Sequence, residues 1–140
     1  QGKVMRKLGN EYGTTTNRPR RCGWFDAAIC RYAVRINDLS SIIITKLDVL
    51  SKFKKIKICN NYVFENKKIT EFPHNIRIFE QCKPEYSELD GWQQDISHIR
   101  NFKDLPKEAQ EYIKEIEKLC FVTVSMISVG PEREQTIVRE

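Results

Sequence analysis

The sequence has no long apolar run. Nothing in it approaches the roughly 20 consecutive apolar residues that a helix needs to cross a bilayer. Its first twenty residues are too polar for a signal peptide, so a cytoplasmic address with no membrane partner is expected. Histidine is scarce, and His74 and His98, neither of them at useful spacing from a partner, read as surface residues. The five cysteines (Cys22, Cys30, Cys59, Cys82 and Cys120) form an odd set with no Cys-x-x-Cys pair. Neither a zinc site nor a disulfide framework is suggested by them, and they read as small buried apolar residues. Glycine and proline number only six and five, and no Gly/Ser-rich linker, repeat or low-complexity tract breaks the chain. Residues 1–140 are therefore expected to be one segment of a single domain with no internal boundary.

What is present is enough for a core: 140 residues is the length of one domain. Lys and Arg total 24 against 19 Asp and Glu, a net charge of +5, which permits a polyanion or a nucleotide as partner without demanding one. The chain starts at Gln1 in the middle of a helix-like pattern, so it is expected to be a piece of something longer.

Hydrophobic periodicity predicts an α/β fold. Residues 3–10 pattern as a short amphipathic helix, stopped near Gly13. Residues 14–20 form a shaped loop, because consecutive threonines disfavour helix, Pro19 removes a donor and Asn17 tolerates the left-handed region. Phe25, Ala28, Ile29, Tyr32, Ala33 and Ile36 recur as one helix face that Asn37 closes. Residues 41–45 read as a buried strand, "KLDVLSKF" as a turn or short helix, and "KIKICNNYVF" as a half-exposed strand that "KKITEF" can pair with. Residues 71–101 carry turn residues and give no clear order. Asp104 and Pro106 open a helix with the stripe Leu105, Ala109, Tyr112, Ile113, Ile116, Leu119 and Cys120. The strands "FVTVSMISV" and "QTIVR" follow. Alternating strands and helices argue for a mixed sheet with flanking helices, and the strand exits at Thr45 and Val129 are where such sheets place ligands.

Three segments carry candidate chemistry. In "TTTNRPR" the guanidinium forks of Arg18 and Arg20 match a carboxylate or phosphate, and the hydroxyls of Thr14, Thr15 and Thr16 can satisfy further anion oxygens. The bland alternative is a basic surface loop. In "TKLD" Asp48 can accept from the two adjacent N–H groups of a guanine edge while the stem of Lys46 covers the ring; a solvated turn is the alternative. "SVGPER" is a loop after a strand that exposes backbone groups to a base, or simply a β-turn.

In their order and spacing, "GNEYGTTTNRPRRCGWFD", "TKLDVL", "GW", "LPKEAQEYIKEIE" and "ISVGPER" closely resemble the C-terminal part of adenylosuccinate synthetase, over nearly the whole chain. The resemblance implies a GTP-dependent ligase of AMP biosynthesis. GTP phosphorylates the 6-oxygen of inosine monophosphate (IMP), and the amine of L-aspartate displaces phosphate to give adenylosuccinate, GDP and phosphate. It implies that Thr14, Thr15, Thr16, Asn17, Arg18, Pro19 and Arg20 close on the carboxylates of aspartate. Arg18 is then also near the IMP ribose and Arg20 near GTP. Lys46, Leu47 and Asp48 match the guanine-specifying segment, and Ser128, Val129 and Gly130 a second guanine-contacting loop. The chain departs from the family pattern at Asn17, which stands where glycine is usual.

The family's phosphate loop, Mg²⁺ ligands and proton-transferring aspartate and histidine have no counterpart here. No catalytic or metal-binding residue is therefore expected in this segment, and the chain alone is expected to be inactive. A homodimer is implied for the full-length protein. The competing reading is a basic nucleic-acid-binding module using Arg18, Arg20, Arg21 and the lysines at 52, 54, 55, 57, 67 and 68 as a phosphate stripe. It explains neither Asp48 nor the Gly-Pro loop.

Overall fold

The structure is a computed structural model and describes residues 1–139. Two sheets share one main core. In the first, β3 (Lys55–Phe64) pairs in parallel with the two-residue β1 (Phe25–Asp26) and antiparallel with β4 (Lys67–Ile69) and β5 (Lys83–Asp90). In the second, β2 (Ser41–Ile44) lies parallel to β6 (Thr123–Ser128), which pairs antiparallel with β7 (Thr136–Val138). Helices α2 (Ala27–Asn37) and α4 (Lys107–Cys120) flank them, with α1 (Gly2–Leu8) and the single turn α3 (Ile76–Phe79) at the periphery. This is the mixed α/β architecture that the alternation of elements predicts.

Helix α4 forms where its stripe predicts. Ala109, Tyr112, Ile113, Ile116 and Cys120 are buried, and Phe121 ends the helix in the left-handed region at φ 55°. Its packing partners include Ile56, Ile58, Val124, Ile127, Val129 and Ile137, all fully buried. Glu117 fastens the end of α4 to the second sheet: its carboxylate accepts from the Val124 N–H at 2.8 Å and pairs with Arg139 at 2.7 Å.

Three expectations need correction. Helix α2 begins two residues after Phe25, because Asp26 caps it by accepting from the Ile29 N–H at 3.1 Å. The predicted face is only partly inward: Ala28 is buried in a small cluster with Cys59 and Tyr62, and Ala27, Cys30 and Val34 meet the main core, while Ile29 and Ile36 are exposed. Strand β2 is half exposed rather than buried, since only one of its edges is paired and Ile43 faces outward. Residues 83–90, obscured by Pro84, form β5; its exposed and half-buried positions alternate, and Lys55, Lys57 and Lys68 of β3 and β4 pair with its Asp90, Glu88 and Glu85. These pairings neutralise three cations of the supposed phosphate stripe.

Candidate functional site

Parallel pairing of β2 with β6 decides where the site lies. Ile44 is opposite Ile127, so both chains leave the sheet at the same edge, β2 into Lys46-Leu47-Asp48 and β6 into Ser128-Val129-Gly130. Two segments separated by some eighty residues of sequence thus emerge side by side, at the C-terminal ends of parallel strands, where ligands bind in open α/β sheets.

The turn after β2 is tight. Lys46 takes the left-handed conformation at φ 59°, and residues Leu47–Lys52 coil as a 3₁₀ helix anchored by the buried Leu47. The second residue of that helix is Asp48, whose Oδ1 is buried and has no hydrogen-bond partner. Burial pushes its carboxyl above the usual carboxylate range; its own and Val49's amide N–H and the Lys46 charge pull the other way, and Asp95 adds a further upward push. An acceptor that is out of water and unpartnered carries a standing desolvation cost, relieved by a ligand that brings N–H donors.

The neighbouring loop is held rigid. Ser128 Oγ donates to the Gly130 carbonyl at 2.7 Å, and the Val129 N–H donates to the Gln135 carbonyl at 2.8 Å. The Gln135 side chain accepts from the Glu132 N–H and donates to the Ser97 carbonyl, and a Cβ at position 130 would collide with its amide. Ser97 and Asp95, on the segment that follows Trp92, therefore border the same region. Trp92 is itself pinned by a 2.9 Å hydrogen bond from its ring N–H to Ser51.

The threonine-arginine segment is an exposed hairpin-like arm. A bridge pairs Tyr12 with Pro19, the Gly13 N–H donates to the Arg18 carbonyl at 2.9 Å, and the Asn17 N–H donates to the Gly13 carbonyl at 2.8 Å. Asn17 stands at φ 52°, the left-handed geometry its residue type tolerates and glycine would adopt without strain. Thr14 through Arg20 are all solvent-exposed. Among the described residues, the side chains of Thr14, Thr15, Thr16 and Arg18 make no hydrogen bond to either sheet-edge loop.

Arg20 reaches further. It pairs with Glu11 Oε2 at 2.8 Å, and the other oxygen of that carboxylate takes Lys46 Nζ at 2.5 Å. Sequence reading gave Glu11 no role, although it is the sole acidic residue before Asp26 in a stretch otherwise basic, and that isolation was the signal. A cavity of about 650 Å³ opens beside the arm, its walls including Trp24, Ile42, Ile44, Tyr112 and Ile116, with Glu11, Arg20 and Lys46 as charged lining. Lys46 and Leu47 line it and Asp48 and Gly130 do not, so it borders the acceptor at the sheet edge without containing it.

No group of three or more His, Cys, Asp or Glu gathers closely enough to hold a metal ion among the described residues. No described helix is long and apolar enough to cross a membrane.

Taken together, an exposed arm carrying Arg18 and Arg20 and two loops that leave the same end of parallel strands stand on a mixed α/β scaffold. The family model of adenylosuccinate synthetase matches residues 1–137, and the chain belongs to that family. It is 50% identical over 137 residues to the adenylosuccinate synthetase of Geobacter sulfurreducens, and 56% identical over 138 residues to that of Syntrophomonas wolfei. These alignments cover 98% and 99% of this chain but 32% of each relative. The solved structure of fully ligated adenylosuccinate synthetase from Plasmodium falciparum superposes with a TM-score of 0.94 at 40% identity, covering 99% of this chain and 34% of that one. The chain thus spans about a third of the length of the relatives it matches.

Proposed function

We propose that this chain is the C-terminal part of a GTP-dependent ligase that joins IMP and L-aspartate into adenylosuccinate, and that it supplies the ligase's base-selecting and aspartate-gripping loops. Asp48 accepts from the two N–H groups of the guanine edge, Lys46 and Leu47 cover the base, and Ser128, Val129 and Gly130 present backbone groups from the adjoining loop. Thr14, Thr15, Thr16, Asn17, Arg18, Pro19 and Arg20 close on the carboxylates of aspartate. Arg18 also reaches the IMP ribose, and Arg20 reaches GTP. The observation that carries this reading is the buried, partnerless Oδ1 of Asp48 at the shared exit of β2 and β6. A buried acceptor without a partner is unusual in a solvated turn, and a ligand that brings N–H donors accounts for it.

These residues bind and orient. They hold the aspartate amine toward carbon 6 of the purine, where it displaces the phosphate that GTP has placed on the 6-oxygen, and they fix the nucleotide that donates that phosphate. Mg²⁺ belongs to the reaction as a whole, and no step performed by this chain passes through it. The full-length protein is a cytoplasmic homodimer in this reading.

The test is product formation. The full-length protein incubated with IMP, aspartate, GTP and Mg²⁺ forms adenylosuccinate, and the 140-residue chain alone forms none above background. Turnover by the chain alone would mean that the transfer machinery resides within it. Absence of product from the full-length protein would remove the ligase reading.

A further inference from the structure

We propose that Glu11 is a positioning residue that sets the geometry of the aspartate-gripping arm and of the base-covering lysine at once. The inference rests on the site reading above.

One carboxylate serves both segments. Glu11 Oε2 holds the Arg20 guanidinium at 2.8 Å and Oε1 holds Lys46 Nζ at 2.5 Å. Its backbone is fixed as well: the Arg20 N–H donates to the Glu11 carbonyl at 3.0 Å, and the Glu11 N–H donates to the Arg6 carbonyl at 2.9 Å. Arg6 in turn donates from Nε to the Arg20 carbonyl at 2.5 Å, and Lys46 Nζ donates also to the Gly9 carbonyl at 2.7 Å. The end of α1, the base of the arm and the exit of β2 are thereby tied at one point.

Stability does not explain this arrangement. Arg20 and Lys46 remain roughly half exposed, and solvent-exposed ion pairs add little to folding free energy. What the pairing does supply is direction. Two long cationic side chains with many rotamers are held in one pose, with their outer faces still open to a ligand. Lys46 stands in a left-handed turn at φ 59°, and its Nζ reaches the Gly9 carbonyl just past α1. The two oxygens of a glutamate are needed, since an amide offers one acceptor oxygen and turns a donor toward a cation.

The experiment compares Glu11→Gln with Arg20→Met and Lys46→Met in the full-length enzyme. The expected result for Glu11→Gln is a rise in KM for both aspartate and GTP of about fivefold or more, with kcat within about twofold, since orientation of bound groups is lost and the chemistry is not. Arg20→Met is expected to raise the KM of both aspartate and GTP, and Lys46→Met that of GTP. Glu11→Asp, a methylene shorter, cannot span both cations and restores at most one of the two values. If Glu11→Gln leaves both KM values unchanged while the two controls shift theirs, this inference is overturned and the site reading stands. A fall in kcat with unchanged KM values overturns it too. Should the controls also leave both KM values unchanged, the site reading itself fails, and this inference falls with it.

Discussion

At the scale of single residues, two carboxylates near the site are pushed in opposite directions. Hydrogen bonds from Lys46 and Arg20 hold Glu11 below its ordinary range, whereas burial lifts Asp48 above its own. For Glu11, with a folded value lower than the unfolded one, the tie is complete above the ordinary carboxylate range and is lost as pH falls through the lowered value. For Asp48 the sign reverses: its ionisation costs stability, and the cost grows as pH rises from the ordinary value through the raised one. On acidification Asp48 therefore loses its charge through a range above that of an ordinary aspartate, and the Glu11 tie persists to below that of an ordinary glutamate. The full-length enzyme is expected to show a GTP KM that climbs on the acid side. Asp48→Asn is expected to remove that climb and to raise the melting temperature at neutral pH. A GTP KM that climbs equally in the Asp48→Asn variant would contradict this role, and kinetics on the acid side of neutrality decide it. Asp48 was legible in the sequence as an acid after a β-branched run. Glu11 was not, because its partners lie nine and thirty-five positions away and only the fold brings them together.

At the scale of elements, legibility followed how far each pattern depended on its own chain. Helix α4 has an uninterrupted apolar stripe and was readable throughout. Strand β5 was not, since its residues are mostly polar and it exists by pairing with β3, beginning beside a proline that reads as a turn. The inner face of α2 was only partly legible for a related reason: Ala27 and Cys30 pack on the main core and Ala28 on the smaller one, while the isoleucines that periodicity favoured are exposed. The start of α2 depends on Asp26, whose Oδ1 caps Ile29 and whose Oδ2 accepts from the Tyr62 hydroxyl at 2.6 Å. Removing it costs both a helix cap and the partner of a part-buried hydroxyl. Asp26→Ala is expected to lower unfolding free energy by about 1–3 kcal/mol, and Tyr62→Phe by less. Urea denaturation of both variants and of the double variant measures the coupling. Strictly additive losses would mean that the 2.6 Å contact contributes nothing to stability.

At the scale of the whole molecule, the chain brings three short segments, far apart in sequence, to the same end of a mixed fold. Parallel pairing of β2 with β6 sets two loops edge to edge, and Glu11 fastens the arm to one of them. Each segment taken singly reads as an ordinary turn or basic loop, and their order along the chain carried the information that composition lacked. The central claim is that Asp48 chooses the base. Adenine lacks the adjacent donor pair of guanine and would leave the buried Oδ1 of Asp48 unpartnered, a mismatch that sites of this kind reject by up to roughly 10⁴-fold. An asparagine can turn its amide donor toward the second carbonyl of xanthine. The direct measurement is kcat/KM for GTP, ATP and XTP with the full-length enzyme and with its Asp48→Asn variant. The account predicts strong preference for GTP in the parent and a shift toward XTP in the variant; a variant that kept the parent's preference for GTP would contradict it.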